Sequence, residues 1–162
     1  MRLFVAIRLN EEMLAALRDV QRQMRSCHVS GSYILPENLH LTLAFIGEYP
    51  DPADVPLPAV RPFPLALEGF GAFGDLWWVG VRPSAELNRC ASTLRRALSD
   101  AALPFDRKRF SPHITVLRRG VGKPAVAVPD ARMTVDHLSL MRADRGKHGM
   151  IYTEIARSEA WG

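Results

Sequence analysis

His40-Leu-Thr-Leu-Ala-Phe-Ile-Gly47 and His113-Ile-Thr-Val-Leu-Arg-Arg-Gly120 share one pattern: His, aliphatic, Thr, aliphatic, then Gly four residues on. They begin 73 residues apart, and the same offset carries Leu3 onto Leu76, Leu14 onto Leu87 and Met24 onto Ala97. A self-match at fixed offset marks a duplicated structural unit. Local patterning agrees. Leu3–Leu9 and Leu76–Val81 are short apolar runs rich in strand formers. After the first come Asn10-Glu11-Glu12, a helix cap with acid in the first turn. Met13, Leu17, Val20 and Met24 then recur at helical spacing and predict a helix over residues 11–26. After the second come Pro83-Ser84, and Leu87, Ala91, Leu94 and Leu98 predict a helix over 85–101. Each helix leads into a His-x-Thr strand. The expectation is an α+β fold in which residues 1–162 form a single domain of two pseudo-symmetric lobes.

Further strands are expected at Phe63–Glu68, Arg132–Arg142 and Met150–Arg157, the last two joined as a hairpin around Asp144-Arg-Gly-Lys-His-Gly149. The six prolines between Tyr49 and Pro64 forbid a helix interior there and predict an extended connection.

Residues i and i+2 of a strand project from one face, about 6.5–7 Å apart. His40 therefore shares a face with Thr42, and His113 with Thr115, while Leu41, Leu43, Ile114 and Val116 point into a core. If the repeat sets the two strands across a cleft, two imidazoles and two hydroxyls surround one volume. Histidine titrates near neutral pH, so such a pair supplies a general acid and a general base. Threonine hydroxyls beside them can donate to non-bridging phosphate oxygens. That combination suits phosphodiester cleavage without a metal, one imidazole taking a proton from water and the other giving one to the leaving oxygen. No carboxylate or third histidine accompanies either motif at ligand spacing, so no metal site and no cofactor is expected.

Composition bounds the rest. The chain has 162 residues, 48% hydrophobic and 23% charged, which excludes disordered and fibrous classes. It carries 21 basic against 17 acidic residues. Residues 1–80 hold 6 basic and 9 acidic side chains, residues 81–162 hold 15 and 8, and only Lys108, Lys123 and Lys147 are lysines. An arginine excess on one side suits a phosphate-bearing partner, because the guanidinium fork matches phosphate, and it predicts one cleft wall more positive than the other. No apolar stretch approaches the roughly 20 residues of a membrane span. The opening run is broken by Arg8 and lacks a cleavage-like site, so it reads as a strand and not as a secretory signal. Cys27 and Cys90 show no metal or redox spacing, so a reduced cytoplasmic setting and a monomer are the expectations.

The two motifs, Arg2-Leu-Phe-Val-Ala-Ile7, Pro36-Glu-Asn-Leu39, Ser111-Pro112 before the second histidine, and Arg145-Gly146 with Tyr152 resemble the bacterial and archaeal RNA 2′,3′-cyclic phosphodiesterases. These were once called 2′-5′ RNA ligases and belong to the 2H phosphoesterases. The resemblance covers nearly the whole chain. It implies a bilobal fold of two antiparallel sheets lining a central cleft, with helices outside. It also implies hydrolysis of RNA 2′,3′-cyclic phosphate ends, or of cyclic nucleotides, to 2′-phosphates, with a weaker reverse 2′-5′ ligation. By the same resemblance His40 is the proton donor to the leaving 3′ oxygen, His113 the proton acceptor from water, and Thr42 and Thr115 bind phosphate. Two segments depart from the family pattern. Tyr49–Pro64 stands where a helix is usual, and Gly120–Pro129 is short and non-helical. Two readings compete with this one: a related phosphoesterase for a small cyclic-phosphate metabolite, and a non-catalytic RNA-binding module.

Further residues are candidates for substrate contact. Phe45 and Arg118 stand at +5 from their histidines. Simple alternation points both away from the cleft unless a bulge redirects them. Arg118 matches an arginine common in the family signature and can hold phosphate or stack on a base. Tyr152 can stack on a nucleotide or hydrogen-bond to it. Arg107, Lys108, Arg109 and Arg119 form a basic cluster around the second motif, suited to RNA backbone or to solvent. Trp77 and Trp78 alternate on one strand, so at least one is expected in the core. His28, His137 and His148 lack a threonine partner and are assigned no chemistry.

Overall fold

The computed structural model describes residues 1–162. In chain order the elements are β1 (Arg2–Arg8), α1 (Glu11–Ser26), β2 (Ser30–Tyr33), β3 (His40–Glu48), β4 (Phe63–Phe73), β5 (Leu76–Val81), α2 (Ala85–Asp100), β6 (His113–Val121), β7 (Arg132–Val135), β8 (Ser139–Gly146) and β9 (Gly149–Arg157). One antiparallel sheet has the order β3-β1-β8-β9, the other β2-β6-β5-β4-β7. The duplication is visible in these orders: β3, β1 and β8 of the first sheet correspond to β6, β5 and β4 of the second. The fold is the expected α+β arrangement of two antiparallel sheets with two helices.

Both helices form for the reasons their sequences suggest. The Asn10 side chain accepts the Met13 N–H at 2.9 Å, and Ser84 accepts that of Leu87 at 3.0 Å. Each satisfies a donor left open in a first turn. Met13, Leu17, Val20 and Met24 of α1, and Leu87, Ala91, Leu94 and Leu98 of α2, are buried. The packing crosses between halves: α1 lies against β6 and β7, and α2 against β3 and β4. A core cluster of 33 buried residues draws on both helices and both sheets.

The crossing has a polar consequence. Buried Gln21 of α1 donates through Nε2 to the carbonyls of Ile34 (2.9 Å) and Val116 (3.0 Å). Arg95 of α2 donates through Nε to the carbonyl of Leu43 at 3.2 Å. Leu43 and Val116 are equivalent positions of the repeat, so each helix secures the motif strand of the opposite half. Replacing Gln21 with leucine strips the side-chain donor from two enclosed carbonyls and should cost about 1–3 kcal/mol. An unchanged urea midpoint for Gln21→Leu would show that those carbonyls find water instead.

Three strand expectations change. Arg132–Arg142 is not one strand: β7 joins one sheet and β8 the other, with Asp136-His137-Leu138 turning between them. The buried sequence Val135, Leu138, Ser139, Leu140 breaks the alternation a continuous strand needs. The turn is fastened where Ser158 donates its N–H to Leu138 O and accepts the Leu138 N–H on Oγ. β4 does not stop at Glu68 but shifts register between Leu67 and Phe70 and runs on to Phe73. β2 was not expected, because Ser30-Gly-Ser-Tyr33 has no apolar run. It forms against β6 because Gly31 lacks a Cβ, which would lie 2.8 Å from the carbonyl oxygens of both Arg118 and Arg119.

The two unusual segments are held by few, specific contacts. Tyr49–Pro64 is extended apart from a 3-10 turn at Pro52–Asp54, and is anchored by buried Val55 and Val60. After β6 the chain is non-helical, and Gln23 clamps it by exchanging two hydrogen bonds with the backbone of Ala127, at 2.8 and 2.9 Å. The β8–β9 hairpin closes over Lys147-His148, as expected.

Candidate active site

β3 and β6 approach each other where the two sheets meet. Along each, the motif's aliphatic residues are buried while His and Thr are half-buried on the other face: Leu41, Leu43, Ile114 and Val116 are all fully enclosed. The histidines are held identically. His40 Nδ1 lies 2.7 Å from the carbonyl of Asn38, and His113 Nδ1 lies 2.7 Å from that of Ser111, each two residues back. A carbonyl only accepts, so Nδ1 carries a proton in both rings, and in the neutral form Nε2 is the basic atom. Asn38 is itself buried and donates to Met150 O at 2.9 Å. His40 Nε2 accepts from Thr42 Oγ1 at 2.8 Å.

The surroundings of the two rings differ. His40 packs on Phe4 (centroids 4.9 Å apart) and meets Tyr152 edge-on at 5.3 Å. Burial lowers its affinity for a proton, and the charges of Arg118 and His113 lower it further against the opposing pull of the Asn38 carbonyl. His113 meets Phe73 edge-on at 5.2 Å.

Phe45 and Arg118 do not point away. β3 shifts register against β1 between Val5 and Ala6, and β6 shifts against β5 between Trp77 and Trp78. Both shifts leave two consecutive motif residues buried, Leu43-Ala44 and Val116-Leu117. A bulge reverses the alternation beyond it, so Phe45, paired with Phe4, and Arg118 emerge on the histidine face. The duplicated bulges thus put one more side chain beside each His-x-Thr pair.

Tyr152 is placed at the site by its contacts with His40 and Phe4. The basic cluster is dispersed: Arg107 stacks on Phe105 at 4.3 Å, and Arg119, with φ +52°, turns to Ser32. Arg2 lies over the Phe45 ring at 5.1 Å, while Arg82 and Arg157 pair with Glu68 and Glu154. His137 bonds its neighbour Asp136, and His28 and His148 are exposed outside helices and strands. Cys27 and Cys90 are free thiols, the latter pushed up to about 11 by burial. No three His, Cys, Asp or Glu side chains are grouped to hold a metal ion. No helix is long and apolar enough to cross a membrane.

Sequence reasoning missed Gln21 and Arg95, which hold the bulges, because a polar residue in a helix carries no sign of a partner in the other half. It also missed Phe73, whose only signal was an aromatic one residue before the Gly74 turn.

Known proteins of this architecture carry a consistent set of names. A curated protein of Geobacillus stearothermophilus named RNA 2′,3′-cyclic phosphodiesterase is 32% identical over 74% of this chain, which spans 42% of that protein's length. One of the same name from Thermus thermophilus is 31% identical over 97% of this chain and 89% of its own. The crystal structure of E. coli LigT complexed with 3′-AMP superposes with a TM-score of 0.77 at 25% identity, covering 97% of this chain and 96% of that one. The model of the 2′-5′ RNA ligase superfamily matches residues 11–147, a span holding both His-x-Thr pairs and both bulges, and the chain belongs to that superfamily.

Proposed function

We propose that the protein hydrolyses RNA 2′,3′-cyclic phosphate ends to 2′-phosphates by acid–base catalysis between His40 and His113. The observation that carries the reading is the repeated Nδ1–carbonyl lock, which leaves Nε2 as the working atom of both rings. The names of the relatives from Geobacillus and Thermus support the substrate class.

In this mechanism the cyclic phosphate sits between the two pairs. The Thr42 and Thr115 hydroxyls donate to its non-bridging oxygens, and Thr42 gives up its bond to His40 Nε2 in doing so. Neutral His113 takes a proton from water through Nε2 as the water oxygen attacks phosphorus opposite O3′. The P–O3′ bond breaks, and the Nε2–H of the His40 imidazolium protonates O3′. The products are a 2′-phosphate and a free 3′-hydroxyl. Arg118 balances the phosphate charge, while Phe45 and Tyr152 contact the nucleoside. A 5′-hydroxyl attacking in place of water, with His113 taking its proton and His40 protonating O3′ as before, gives 2′-5′ ligation. The protein acts in the cytoplasm as one domain and one chain, without a metal or cofactor.

The test is an oligonucleotide ending in a 2′,3′-cyclic phosphate, incubated with the protein and EDTA. A 2′-phosphate product is expected; absence of turnover, or a 3′-phosphate, contradicts the proposal. The pH dependence adds a check. Activity needs one histidine protonated and the other neutral, so kcat/KM is bell-shaped. The lowered proton affinity of His40 puts one limb below the ordinary histidine range. Removing a neighbouring cation makes the imidazolium easier to form, so Arg118→Gln should move that limb to higher pH. A limb that stays in place would show that Arg118 does not act on His40.

A further inference from the structure

We propose that Phe73 and Trp78 form a nucleobase subsite on the His113 side of the cleft. The inference rests on the proposed function and deepens it by adding a base-stacking site beside His113, apart from Phe45 and Tyr152 on the His40 side.

Trp78 stands opposite Thr115 in the β5–β6 ladder, and cross-strand partners share a face, so the indole is on the catalytic side. Two glycines make room for it to lie against the sheet. A Cβ on Gly71 would come within 2.6 Å of Trp78 Cζ2, and one on Gly80 within 3.4 Å of Cζ3. Phe73 projects at the end of β4, its ring 5.5 Å from the Trp78 ring and 5.2 Å from that of His113. It remains 50% exposed. The indole Nε1–H of Trp78 is buried and has no hydrogen-bond partner.

These features exceed what the fold requires. At the equivalent place in the other sheet Ala6 stands opposite Thr42, so the ladder there forms with a methyl group where β5 has an indole. Nor does activation of water by His113 call for one. An exposed aromatic beside a covered, unpaired donor fits a flat ligand with a π-face and ring acceptors. A nucleobase has both, and stacking on it tolerates any base. Phe73 supplies the stacking face, and a shift of its ring on binding opens the indole N–H to an acceptor on the base.

Calorimetric titration tests this with two probes, 3′-AMP and inorganic phosphate, on wild type, Phe73→Ala and Phe73→Trp. Wild type should bind 3′-AMP at least about fivefold more tightly than phosphate. Phe73→Ala should lose most of that ratio with phosphate affinity unchanged, and Phe73→Trp should keep it. A ratio that survives Phe73→Ala overturns the subsite. So does an equal loss for both probes, which would make Phe73 a support for His113 alone. The readout is binding, so a protein that fails to cleave the cyclic phosphate refutes the hydrolase reading and leaves this test decisive.

Discussion

Alanine at either His40 or His113 is expected to lower kcat for cyclic-phosphate hydrolysis by about 10²–10⁴-fold, the usual worth of a positioned acid or base. KM should change little, because Thr42, Thr115 and Arg118 still hold the phosphate. The double variant should be scarcely worse than either single one, since residues acting as a unit are not additive. The fold should survive both changes. Each ring is half-buried on the cleft face and makes one bond to a carbonyl two residues back, while the strand is held from its other side by Leu41 and Leu43 or by Ile114 and Val116. Comparable far-ultraviolet circular dichroism with lost turnover is the expected pair of results. Turnover that survives either substitution would remove that histidine from the chemistry.

The second large effect separates the two faces of β3. Leu41 is fully enclosed, so Leu41→Ala removes buried methyl groups and leaves a cavity, at about 2–5 kcal/mol. For a chain of this size that corresponds to a fall in Tm of about 4–20 °C. At a temperature where the variant is still folded, kcat/KM should stay close to wild type. The next residue behaves oppositely. Thr42→Ala removes one donor to the phosphate and should cost roughly 10²–10³-fold in kcat, with Tm nearly unchanged. If Leu41→Ala lost activity in proportion to Thr42→Ala while still folded, the strand's two faces would not be separable and the alternation argument would be wrong.

Much of this was legible in the chain because it depends on local pattern. The helices begin at Asn10 and Ser84 for reasons of capping, and β5 spans the predicted Leu76–Val81. The histidine–threonine pairs follow from period-two geometry and from a repeat that needs no partner to be seen. What was not legible depends on contacts between halves. The bulges that bring Phe45 and Arg118 round to the histidine face arise from register against β1 and β5, secured by Gln21 and Arg95 on the opposite helices. β2 exists because β6 offers an edge that Gly31 can approach, and that edge lies outside residues 30–33. The split between β7 and β8 follows from which sheet has room for each. The partners of the second half's arginines were not legible either: Arg107 stacks on Phe105, and Arg82 and Arg157 pair with Glu68 and Glu154.

The central claim is that His40 protonates the leaving O3′ while His113 activates water, and sulfur substitution at one atom tests it most directly. A substrate carrying sulfur in place of O3′ leaves as a thiolate and needs no proton. On it, His40→Ala should recover turnover close to wild type, while His113→Ala stays inactive. Recovery by His113→Ala instead, or by neither variant, would contradict the assignment.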